Sequence, residues 1–192
     1  MTIKQLFAKV RMDANINDLA AVKYSDYQMI MALNAVLSLI YQTVGTMSST
    51  ILNKTATIKM KNKKGTLPED FLQAVLVCDG SGYPLRAATK TEDISTGTYR
   101  ISGDIIRSDN TEIELEYKPF FEELEYSDIE DDLDVPALFN EYLRKYMVTI
   151  LLSGTPQGDA EMIAKLTGDV KAIVANRDFA SLDVASTVAW KV

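Results

Sequence analysis

LPEDFLQAVLVCDGSGYPL, residues 67–85, decides how this chain is organised. Pro68 suits a first helical position, and Glu69 and Asp70 suit the positive end of a helix, so one acidic turn is expected there. Ala74 to Cys78 then read as a short, fully buried strand, because a continuous apolar run between turn signals offers no polar face to water. The segment DGSG, residues 79–82, supplies a tight reversal. Helical patterns lie on both sides. The stretch is therefore expected to open a β insertion in a helical scaffold, with the proline turn setting the angle at which the strand leaves.

Upstream, TIKQLFAKVRM (residues 2–12) places Ile3, Leu6, Phe7 and Val10 on one face of a short amphipathic helix. Ser25 and Asp26 offer N-caps, and Ile30, Leu33, Leu37, Ile40 and Val44 recur at spacings of three and four. That spacing predicts a core helix from Asp26 to Met47. The period then changes to two. Leu52, Ala56, Ile58 and Met60 share one face, and Thr55, Thr57, Lys59 and Lys61 the other, as in a half-buried strand. KNKKG, residues 61–65, reads as a solvated turn, with a small phosphate-binding patch as the alternative. Residues 99–118 carry the marks of a hairpin with Asp109 and Asn110 at its turn. In its second strand Ile113, Leu115 and Tyr117 point to the core, and Glu112, Glu114 and Glu116 point away.

Downstream, EELEYSDIEDDLD (residues 122–134) holds eight carboxylates and no basic residue. It reads as a solvated linker, as a wall that keeps DNA from sticking, or as a carboxylate or divalent-metal site built from Asp128, Glu130, Asp131 and Asp132. Pro136 opens a helix whose face carries Leu138, Tyr142, Met147, Ile150 and Leu151, and Gly154 stops it. A further helix over 158–176 carries Met162, Ile163, Leu166, Val170, Ile173 and Val174. The last residues, SLDVASTVAWKV, lose the helical period, are rich in β-formers and hold the only tryptophan. Such a tail either folds back or pairs with a partner.

The expected architecture is α+β and mainly α: an antiparallel helical bundle with a central β insertion and an extended C-terminal tail. Its segments are 1–49, the insertion 50–118, an acidic linker 119–135, helices within 136–178 and the tail 179–192.

A chain of 192 residues forms one domain with an extension, or two small ones, and buries enough surface to fold without metal or disulfide. Cys78, the only cysteine, reads as a small buried hydrophobe. Twenty basic against 27 acidic residues give a net charge of −7, which argues against gripping phosphate backbones. The absence of histidine removes serine and cysteine triads and imidazole acid–base chemistry. No cofactor is expected. The opening residues lack a signal-like apolar core and no stretch approaches twenty apolar residues, so a soluble protein made in a cytoplasm is expected.

The first long helix, the segment Leu67-Pro68-Glu69-Asp70-Phe71, a buried strand, a glycine turn, the strand Tyr99-Arg100-Ile101-Ser102-Gly103, Glu114 to Tyr117 and Pro136 opening a late helix follow one another in a telling order. This succession, over about residues 20–155, resembles the head-to-tail adaptor proteins of tailed bacteriophages. The resemblance implies a non-catalytic virion protein at the head–tail interface, assembled in the bacterial host cytoplasm as a dodecameric ring beneath the portal. Implied partners are the portal ring, neighbouring copies, tail or second neck ring proteins, and viral DNA passing without specific binding. No membrane is involved. The acidic candidates for the DNA channel are Glu112, Glu114, Glu116, Glu130, Asp131 and Asp132, since an acidic bore repels phosphate. The docking candidates are Val184, Val188 and Trp190, on a tail that could join a neighbour's sheet edge. Another neck or tail-completion ring, or a carboxylate enzyme, is the alternative.

Overall fold

The computed structural model describes residues 1–17, 24–47, 49–154 and 159–188, with the side chains of 15–17 and 178–188 left out. The described chain is a mixed α+β fold with four helices and two sheets, divided into two compact units. The β unit is Leu52–Phe120, and the helical unit is Met1–Ile51 with Phe121–Val192.

In the helical unit, α1 spans Ile3–Asn17 and α2 spans Asp26–Gly45. All four apolar positions expected on α1 are buried, as is Ala14. α2 starts where capping chemistry dictates: Ser25 Oγ accepts from Gln28 N at 3.3 Å, and Gln28 Oε1 accepts from Ser25 N at 2.9 Å. Met29, Leu33, Val36 and Ile40 are wholly enclosed, and Ala32, Leu37 and Val44 nearly so. So wide an apolar arc serves two neighbours at once, and α2 packs against both α3 (Asn140–Ser153) and α4 (Ala160–Val188), while α1 packs against α3. The helices thus pack in pairs, α1 on α3, α2 on α3 and α4, and α3 on α4, and do not form a clear bundle. α2 is also the one described helix long and apolar enough to cross a membrane, but half of its apolar stretch is buried within the protein.

A short 3-10 turn at Ala137–Phe139 precedes α3, and Gly154 ends it with φ 69, a backbone region that favours glycine. The buried stripe is Phe139, Leu143, Tyr146, Met147 and Ile150; Leu138, Tyr142 and Leu151, assigned to it from sequence, are only half-buried. On α4 the enclosed positions are Met162, Leu166, Val170 and Val174, four of the six expected; Ile163 and Ile173 flank this stripe and are only half-buried. The helix does not stop at 176. It continues to Val188, so residues 179–188 are not the extended tail that was expected. No proline or glycine follows Gly168, and alanines at 172, 175, 180 and 185 favour propagation, so nothing in the sequence breaks the helix.

The β unit holds β1 (Lys54–Lys59), β2 (Lys64–Thr66), β3 (Phe71–Asp79), β4 (Arg86–Ala87), β5 (Thr98–Ser102), β6 (Ile105–Ser108) and β7 (Glu112–Pro119). They form two sheets, β1-β7-β3 and β2-β6-β5-β4, antiparallel except for β4 beside β5. Both sheets bury their inner faces in one cluster: Ile58, Val77, Ile113, Leu115 and Tyr117 from the first, Ile106 with Tyr99 and Ile101 from the second. KNKKG is a two-residue hairpin turn, with Asn62 and Lys63 at φ 53 and 63. Gly65 follows on the inner face because a Cβ there would strike Ile58 and lie 2.8 Å from Met60 Sδ.

Three expectations change here. Asp109 and Asn110 do not close a hairpin, because β6 pairs with β2 and β5 whereas β7 pairs with β1 and β3; the turn carries the chain from one sheet to the other. The hairpin of the region is β5–β6, closed at Gly103, whose φ is 62. Pro68 begins a β-turn closed by Phe71 N donating to Pro68 O at 3.1 Å, not a helical turn. The strand after it is not fully buried. β3 is an edge strand with irregularities between Phe71 and Gln73 and between Ala74 and Leu76, so Val75 and Leu76 are 44% and 43% exposed while Val77 is 1% exposed.

Candidate interaction surfaces

Most side chains of the acidic segment 122–134 are exposed, and its backbone is held in place. Asn34, a polar residue in the middle of α2, clamps the backbone of Leu124: its Nδ2 donates to Leu124 O and its Oδ1 accepts from Leu124 N, both at 3.0 Å. A 3-10 turn at Tyr126–Glu130 follows, with Asp128 Oδ2 accepting from Glu125 N at 2.7 Å and Ile129 buried beneath it. Ile3 N then donates to Asp131 O at 3.0 Å, and Leu133 N to Met1 O at 3.1 Å, fixing the strap along the start of α1. Asn34→Ala leaves two backbone groups of Leu124 without partners. A loss of about 1–3 kcal/mol is expected, read as a lower urea midpoint at unchanged m-value.

The four candidates for a carboxylate site do not converge. Asp128 caps its own turn, Glu130 pairs with Lys4, and Asp132 lies 3.4 Å from the amino group of Met1. Asp131 is exposed, and its part in the strap is made through its backbone. Among the described residues no group of three or more carboxylates and cysteines is arranged to hold a metal ion.

β7 places its side chains as the alternation dictates. Ile113, Leu115 and Tyr117 are buried, and Glu112, Glu114 and Glu116 line the outer face of the first sheet. Across the sheet Glu114 stands between Thr57 and Cys78, and Glu116 between Thr55 and Leu76. These side chains enclose a groove of about 380 Å3. Glu116 accepts from Asn53 Nδ2 at 2.6 Å, Glu112 faces Lys59, and Glu114 is exposed. Cys78 is buried as expected but belongs to this groove rather than the shared core.

Asp70 has a role that local sequence does not show. Its carboxylate accepts from Tyr117 Oη at 2.8 Å and pairs with Lys54 Nζ at 3.0 Å, and its carbonyl accepts from Phe120 N at 2.9 Å, so it ties the turn before β3 to both β1 and β7. Burial pushes its carboxyl up, but the hydrogen bonds from Lys54 and Tyr117 outweigh this and hold it below the usual carboxylate range. A depressed folded pKa gives stability that is present above the unfolded value and lost as pH falls through the folded one. Asp70→Asn is accordingly expected to cost about 1–3 kcal/mol at pH 7. It should also flatten the fall in urea midpoint below pH 4.

In the helical unit Asp169 of α4 accepts from Tyr146 Oη at 2.7 Å and from Lys145 Nζ at 3.0 Å, fastening α3 to α4. Burial first, then Asp169, drives the Tyr146 hydroxyl far above its usual range, so it remains a donor at all working pH. Of the docking candidates, Val184 and Val188 lie on the last turns of α4, and Trp190 lies outside the described residues.

Charge divides sharply between the units. Residues 52–120 carry ten basic and ten acidic residues, leaving ten basic against seventeen acidic for the helical unit, which thus holds the whole −7. In comparison with known proteins, the chain matches no family model and no curated protein.

Proposed function

We propose that this chain is a structural ring protein of the head-to-tail junction of a tailed bacteriophage, without catalytic activity. In this reading copies assemble side by side as a dodecamer docked on the portal ring, with tail or second neck ring proteins beyond and viral DNA passing through unread. The observation that carries it is the two-unit build: a compact, charge-neutral β unit whose sequence is inserted between that of α2 and that of the acidic strap of a helical unit. A ring subunit needs two different complementary surfaces, and such a build supplies distinct ones. The helical unit, with exposed Glu122, Glu123 and Asp131 on a strap held to α1 and α2, suits a wall that DNA slides past without binding. The carboxylate-enzyme alternative finds no converging acids among the described residues.

Disrupting the reading frame in the phage that encodes it tests this. Filled or leaking heads without attached tails are expected in electron micrographs of the lysate. Intact tailed particles would contradict the reading.

A further inference from the structure

The second sheet carries a costly feature on its outer face. Lys64, Arg107 and Arg100 stand directly opposite one another across β2, β6 and β5, three like charges in one row. Like charges facing each other across a sheet are destabilising. Arg100 turns its guanidinium to the carbonyl oxygens of Thr89 and Glu92, and the Glu92 carboxylate is taken by Arg86. Lys64 and Arg107 remain exposed, with no carboxylate partner among the described residues. Local conflict of this kind concentrates at functional surfaces.

The first sheet shows the complement. Its outer face holds the groove around Glu114, with Glu116 beside it and the side chains of Thr55, Thr57, Leu76 and Cys78 as walls. Because both sheets bury their inner faces in one cluster, these outer faces point away from a common core within one compact unit. One copy therefore presents a basic row on one side of its β unit and an acidic groove on the other.

We infer that the basic row of one copy docks in the acidic groove of a second copy, with Arg107 and Lys64 set against Glu114 and Glu116. The contact is between two different surfaces, so each copy uses its row on one neighbour and its groove on the other, and the repeat closes into a ring if the rotation allows. It gives Lys64 and Arg107 the anions that their own sheet withholds. This rests on the ring reading and names the contact that would build the ring. It also assigns the β7 glutamates to neighbouring copies instead of to the DNA channel.

Sedimentation velocity of the full chain, at low and high sodium chloride, tests the inference with Arg107→Glu and Glu114→Lys. The wild type is expected to associate at low salt and to dissociate at high salt. Each variant alone should associate on the order of a hundredfold more weakly. An equimolar mixture of the two should recover assembly, because each variant's altered surface then meets an oppositely charged one. Arg107→Glu should also raise the melting temperature, since it relieves the repulsion from Lys64 and Arg100. A wild type that stays monomeric at low salt, variants that associate like the wild type, or a mixture that fails to recover would each overturn the contact. A variant that still adds a full ring to portal would overturn the contact and leave the ring reading standing.

Discussion

Val77→Asp is expected to abolish soluble expression, while Val75→Asp, two residues earlier on the same strand, leaves the protein folded. Val77 is 1% exposed and packs with Leu115 and Tyr117 in the cluster shared by both sheets. A carboxylate there has no partner, and burying it costs several kcal/mol, a large share of the stability of a domain. Val75 is 44% exposed at an irregularity of an edge strand, where an added charge is expected to change stability by no more than about 0.5 kcal/mol. Expression tests followed by thermal melts of the soluble fraction measure both. Equal damage from the two changes would contradict the described phase of β3.

Phe139→Ala should destabilise the helical unit by about 3–5 kcal/mol, whereas Leu138→Ala should cost much less. Phe139 is wholly enclosed at the start of α3, and its removal leaves a cavity that helices fixed by Tyr146, Asp169 and the Asn34 clamp cannot collapse to fill. Leu138 is half-buried, so truncation there removes less contact. Urea titrations of the two variants give the comparison. A larger loss from Leu138→Ala would place the wrong face of this segment in the core.

These pairs show where the sequence was legible. Ile3, Leu6, Phe7 and Val10, the Ser25 cap and the alternation of β7 were readable because polar residues mark the phase of each apolar stripe. Ala74 to Cys78 has no polar residue to mark a face, and Leu138 and Phe139 are adjacent and both apolar, so the phase in each case is set by packing partners. Asp109 and Asn110 announce a reversal, but which sheet the next strand joins depends on β1, some fifty residues upstream. The polar fasteners were hidden for the same reason. Asp70 meets Tyr117 and Asn34 meets Leu124 across long stretches of chain, and no local pattern announces such pairs. Of the site, the acidic row of β7 was visible as alternation, but the basic row of Lys64, Arg107 and Arg100 exists only once three strands are aligned.

The ring reading is tested most directly by native mass spectrometry of the protein mixed with portal rings from the same phage, each component also weighed alone. The account predicts that the portal gains the mass of a full ring of subunits, with the gain lost at high salt. A portal that gains none while remaining intact would contradict it.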